Sequence, residues 1–101
     1  MPVTMERHET HSLIRLEGEL TITSAGEVKE ALLAGLAAGT DLHLDLEHAE
    51  TIDVTIMQLL WAAGREADRA GVALAGRVSE AAAAMAREAG FDGLPGMAAQ
   101  E

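Results

Sequence analysis

Between Ser12 and Leu20, Ile14 and Leu16 alternate with Arg15 and Glu17, the period-two pattern of a half-buried strand. Gly18, beside Glu19, marks a bulge or a close approach of backbones in that strand. Upstream, Val3 to Glu9 is more weakly strand-like and reads as an edge. The period then changes. Ser24 followed by Glu27 has the spacing of a capping box, and Val28, Ala31, Leu32, Gly35 and Leu36 fall on one helical face. Gly39 stops that helix, and Leu42, Leu44 and Leu46 alternate with Asp41, His43 and Asp45 in a strand with one dry side.

Residues 47–52 read as a turn, and a second helix starts near Asp53. Its core stripe is Ile56, Leu60, Ala63 and Ala67, with Leu59 and Ala70 at the margin and Gln58, Arg65, Glu66 and Arg69 opposite. Gly71 stands where a left-handed helix cap is usual. Val72 to Gly76 then predicts a short strand, Ser79 an N-cap, and Ala81 to Ala89 a short helix closed by Gly90. The tail from Phe91 through Leu94, Pro95 and Gly96 is expected to be irregular and to tuck apolar side chains under an edge. The order β-β-α-β-α-β-α implies right-handed crossovers. The fold class is α/β: a mixed, partly parallel sheet of about four to five strands with three to four helices, expected as a single domain over residues 1–101.

Composition narrows the functions open to such a domain. Hydrophobic residues make up 49% of the 101 positions but aromatics only 2%, so Leu, Ile and Val form the core and Ala-faced helices lie close to it. The formal net charge is −10. A surface this acidic repels phosphate backbones and anionic headgroups, which argues against nucleic-acid and membrane-surface binding. There is no cysteine, hence no disulfide or zinc–thiolate site, as suits a reducing compartment. Met1 to Arg7 holds no signal-peptide core, and no run approaches the ~20 apolar residues of a membrane span. A cytoplasmic location is expected.

Specific motifs then carry a resemblance. Leu44-Asp45-Leu46, followed by Thr51-Ile52-Asp53-Val54-Thr55 and Gln58-Leu59-Leu60, is similar in order and spacing to the strand, loop and helix start that mark STAS domains. Gly18-Glu19-Leu20 and Gly90-Phe91-Asp92-Gly93-Leu94 resemble two further motifs of that family, so the likeness spans nearly the whole chain. The resemblance implies an anti-sigma-factor-antagonist-like interaction module. It also implies that Thr55 is the hydroxyl a partner kinase phosphorylates and Asp53 its supporting acidic residue. Two positions depart from the pattern. The Gly-Leu of the signature is Ile56-Met57 here, which is expected to narrow kinase access, and the acidic residue after Gly-Glu-Leu is Thr21.

Physical chemistry gives the same positions a meaning of their own. At a helix N-terminus, unpaired N–H groups and the dipole favour negative charge, so a phosphate on Thr55 would meet donors while standing beside Asp53. Without modification, Asp53 is an N-cap and Thr55 a first-turn residue. Met57, Trp61 and Gly64 recur along the flank of the same helix. Met adapts to varied partners and Trp anchors them, so Thr21, Ile56, Met57 and Trp61 form the expected partner surface. Trp61 is also expected to be partly covered by the tail around Phe91.

Metal and catalytic chemistry find little to build on. His8 and His11, three apart, are expected on opposite strand faces, which spoils a shared metal site. His43 with Asp41 and Asp45 reads as a solvated polar face, and His48 as an exposed turn residue. No nucleophile elbow, phosphate-binding loop or dinucleotide fingerprint occurs, so no catalytic residue, cofactor or metal is expected. The expected partners are an anti-sigma kinase or a chemotaxis-type signalling protein. The alternatives are the ATPase of a lipid-transport ABC system, whose free-standing STAS subunit also resembles Gly18-Glu19-Leu20-Thr21, and a non-switching scaffold.

Overall fold

Alternation along the chain becomes alternation across a sheet in the computed structural model, which describes residues 3–91 and 97–99. The strands are β1 (Val3–Arg7), β2 (His11–Leu16), β3 (Gly18–Leu20), β4 (Asp41–Leu46), β5 (Ala49–Ile52), β6 (Leu74–Val78) and β7 (Met97–Ala99). The helices are α1 (Ala25–Ala37), α2 (Val54–Ala70) and α3 (Glu80–Glu88), with a 3-10 turn over Ile22–Ser24. The main sheet has the order β1-β2-β4-β6-β7 and is parallel except for the β1–β2 hairpin. β3 and β5 form a separate two-stranded parallel ribbon.

Ile14, Leu16, Leu42, Leu44, Leu46 and Val78 point to the helical side and are essentially inaccessible. They share one cluster with Val28 and Leu32 of α1, Ile56 and Leu60 of α2, and Ala82, Ala83 and Ala86 of α3. Alanine lets α3 sit close, as a core poor in aromatics requires. The other sheet face stays polar. There the Arg15 Nε–H donates to Asp45 Oδ2 at 3.1 Å, with Glu6 and Glu17 within 4 Å of the guanidinium. The bond to Asp45 raises the Arg15 pKa above its ordinary value, so this side chain stays charged.

The expected stripes of α1 and α2, the left-handed cap at Gly71 (φ 72°) and the Ser79 cap all appear in the structure. Four local expectations are corrected. Residues 47–52 are not all turn. Only Glu47 and His48 turn, and Ala49–Ile52 pairs with β3 as β5. Its burial runs buried, exposed, exposed, buried, with a register shift at Gly18/Glu19, so the period-two signal is missing. Ser24 is no N-cap either. It is buried, already in helical conformation (φ −89°, ψ −9°), and makes no capping bond, because the 3-10 turn has begun the spiral earlier.

The segment expected as one strand over residues 12–20 is broken. Gly18, at φ 71°, turns the chain out of the main sheet, and its N–H bonds to the His48 carbonyl at 2.9 Å. The last parallel strand before α3 runs Leu74–Val78 rather than Val72–Gly76. Gly76 lies in mid-strand against the Leu44 backbone instead of ending the strand. Of the tail expectation, residues 92–96 lie outside the described residues. Phe91 is half-buried and stacks on Trp61.

Candidate functional site

The β3–β5 ribbon carries the candidate site at its carboxyl end. Leu20 is in register with Ile52, and the Asp53 N–H donates to the Leu20 carbonyl at 2.9 Å, so the two segments leave the ribbon side by side. One continues as Thr21 and Ile22, the other as Asp53 and Val54. Asp53 is extended (φ −75°, ψ 153°), and its Oδ1 accepts the Thr55 N–H at 2.7 Å while its carbonyl accepts the Met57 N–H at 3.1 Å. That is the N-cap the sequence predicts at Asp53.

Thr55 is half-buried at the second position of α2. The N–H groups of Val54 and Ile56, in the same first turn, lie where a helix has no backbone acceptor of its own. Thr21 is also half-buried. Its hydroxyl pairs with that of Thr23 at 2.7 Å, and its carbonyl accepts the Ser24 N–H. The ribbon leading here exposes Glu19 and Glu50. Modification of Thr55 would therefore add negative charge to an end already acidic.

Ile56 and Met57, expected in the partner surface, lie in the core of this structure. Both are buried, 0% and 1% exposed, because Ile56 leads the core stripe and Met57 joins the cluster that holds the α3 alanines. The side chain of Ile56 thus points away from solvent. Trp61 is half-buried and stacked with Phe91 at 6.3 Å between ring centroids, as the expected tail cover requires. Its Nε1 is buried and has no partner among the described residues.

Two residues at this end escaped sequence reasoning. Ile22 is 67% exposed and Val54 47% exposed, among the few large apolar side chains of the described residues left in solvent. Val54 was legible: two residues before Ile56 is a 200° rotation away from the core stripe. Ile22 was hidden by the missed 3-10 turn.

The histidines also fall out differently. His8 and His11 stack at 4.7 Å between ring centroids, and His11 stacks on His43 at 4.6 Å. Facing alternates along one strand, but across the β1–β2 turn residues three apart meet on one side. Among the described residues, no group of three His, Asp or Glu side chains could hold a metal ion.

A family model described as Mlab, STAS domain, matches residues 3–97. No curated protein matches the chain. The anti-sigma-factor antagonist SpoIIAA in its unphosphorylated form superposes with a TM-score of 0.77 at 16% identity, covering 98% of this chain and 88% of that one. A serine-to-glutamate variant of RsbS from Moorella thermoacetica gives 0.74 at 26% identity, covering 99% and 86%. An anti-sigma-factor antagonist from Mycobacterium paratuberculosis gives 0.71 at 20% identity, covering 92% and 84%.

Proposed function

This chain belongs to the STAS domain family, and on that premise we propose that it is a cytoplasmic signalling module whose partner docks over Thr55. The observation that carries this reading is the pair of exposed apolar residues, Ile22 and Val54, on the segments around Thr55 and Asp53. Apolar side chains rimmed by polar groups are what a protein partner desolvates. The module works by binding rather than catalysis, and its partner is an anti-sigma-type kinase or another signalling protein.

Phosphorylation of Thr55 is the switch. The modification adds roughly −1.5 to −2 charges beside Asp53 and next to Val54. Such a charge opposes burial of the apolar contact and repels an acidic partner surface. Asp53 stays in place as the cap that fixes where the hydroxyl sits.

A second reading has its own support. The matching family model is described as Mlab, and Gly18-Glu19-Leu20-Thr21 resembles the free-standing STAS subunit of lipid-transport ABC systems. There the same end would dock permanently on an ATPase, and Thr55 would serve only as a first-turn residue.

Affinity capture from native cells with wild type, Thr55→Ala, Thr55→Glu and Ile22→Asp separates the readings. The switch predicts a kinase-like or signalling partner held by wild type and Thr55→Ala and lost with Thr55→Glu, with phosphate found on Thr55 of the wild-type bait. Recovery of one transporter ATPase by the first three baits, without phosphate, would replace it with the subunit reading. Ile22→Asp is expected to weaken either partner, by about tenfold or more if Ile22 is a buried anchor.

A further inference from the structure

The second half of α1 has no polar side. Ala31 to Ala37 is a run of seven residues without a charge or hydrogen-bonding side chain. The sheet takes only part of it: Leu32 and Gly35 are buried, Leu36 is half-buried, and Leu33 is 56% exposed. A helix that is apolar all round calls for cover on its outer side as well. Beside Leu33, between α1 and α2, lies a cleft of about 120 Å³ floored by Leu32, Leu36, Leu59 and Ala62. Lys29 and Glu66 also line it.

The topology puts those two charges at opposite ends. α1 and α2 are successive crossovers between parallel strands of one sheet, so they lie on one face and run in the same direction. Lys29, early in α1, therefore lies at the Leu59 end, and Glu66, later in α2, at the Leu36 end. Lys29 makes no ion pair among the described residues. Glu66 engages Arg69 through Oε1 alone, in an exposed pair 3.0 Å long, leaving Oε2 able to accept another donor.

We propose that this cleft is the contact face of a symmetric homodimer, with a second copy of the chain as its occupant. A two-fold axis across the cleft, perpendicular to both helices, runs the helices of the two copies antiparallel. Lys29 of each copy then reaches Glu66 of the other, and the Leu33 side chains meet near the axis. Such an interface must be self-complementary, and one cation and one anion at opposite ends of an apolar cleft satisfy that requirement. A foreign helix bearing a single sign of charge would be matched at one end and repelled at the other. The leucines supply the attraction, while the charge pairs fix the register. Thr55 does not line the cleft, and the inference does not depend on the switch.

Sedimentation equilibrium of the full chain, up to about 0.5 mM at roughly 0.15 M salt, tests it. The expected result is a reversible equilibrium between one chain of 10.6 kDa and a species of twice that mass. Leu33→Glu is expected to weaken dimerisation by at least about tenfold, since it buries a charge near the axis. Lys29→Glu alone weakens it about fivefold or more, because each dimer loses two pairs, and adding Glu66→Lys brings it back to within about twofold. Circular dichroism of Leu33→Glu, with wild-type helix content, shows that loss of the dimer is not loss of the fold. A wild type that stays at 10.6 kDa throughout overturns the proposal. So does a dimer indifferent to Leu33→Glu, or a double charge reversal that restores nothing.

Discussion

Asp53 does two jobs that a single substitution can separate. Its side chain caps α2 through the 2.7 Å bond to the Thr55 N–H, and its backbone ties α2 to the end of β3 through the bond to Leu20. Asp53→Ala removes only the first and is expected to cost about 1 kcal/mol, within a range of about 0.5–2. In a domain of this size that lowers the melting temperature by roughly 4–8 °C. Asp53→Asn keeps an acceptor oxygen and is expected to recover most of the loss, as thermal denaturation followed by circular dichroism will measure. A fall with Asn as large as with Ala would mean that the carboxylate charge, not the cap bond, stabilises the helix start. The same residue shows what a sequence can reveal of a site. A cap residue followed by a hydroxyl at a helix start is legible because the bond is local. The exposure of Ile22 and the burial of Met57 are not, because both depend on which distant elements cover them.

Elements divide the same way. β2, β4 and α2 announce themselves because each has one face on the core for its whole length, so period and burial coincide. β5 fails that condition, and the 3-10 turn takes over the helix start that Ser24 otherwise signals. Gly76 shows a third limit. In sequence it reads as the end of a strand, yet it lies mid-strand in β6, where a Cβ would stand 2.1 Å from the Leu44 carbonyl oxygen of β4. Backbone cannot swing aside as a side chain can, so β6 and β4 would have to separate. Gly76→Ala is therefore expected to destabilise the fold by about 2–3 kcal/mol. Gly35→Ala is the control, because its Cβ would meet the movable Cδ1 of Leu42 at 2.7 Å rather than backbone. Urea denaturation of the two variants will read the contrast, and equal losses would show that β6 shifts as readily as the Leu42 side chain.

At the scale of the whole molecule, charge opposes compactness. A formal charge of −10 is confined to a body with a radius of gyration of 12.2 Å. Unfolding spreads the same charge over a chain more than twice as wide, with a radius of roughly 30 Å at this length. The folded state therefore carries the greater self-repulsion, and the imbalance is largest where the Debye length is largest: about 30 Å at 0.01 M salt against 8 Å at 0.15 M. The local ion pairs work in the opposite sense. Arg15 with Asp45, Arg77 with Glu47 and Arg69 with Glu66 are partly or largely exposed, and salt weakens each of them a little. The two effects make the sign of the salt dependence informative. Seventeen acidic against seven basic residues leave most carboxylates without a cation, so the global repulsion dominates. Raising NaCl from about 0.01 to 0.15 M is expected to stabilise the fold by about 1–2 kcal/mol at neutral pH. Reading the urea midpoint at both ionic strengths checks it, and a midpoint that falls with salt would assign the larger share to the paired arginines. The same screening acts between two copies carrying −10 each, so any self-association through α1 and α2 is expected to tighten over the same range of salt.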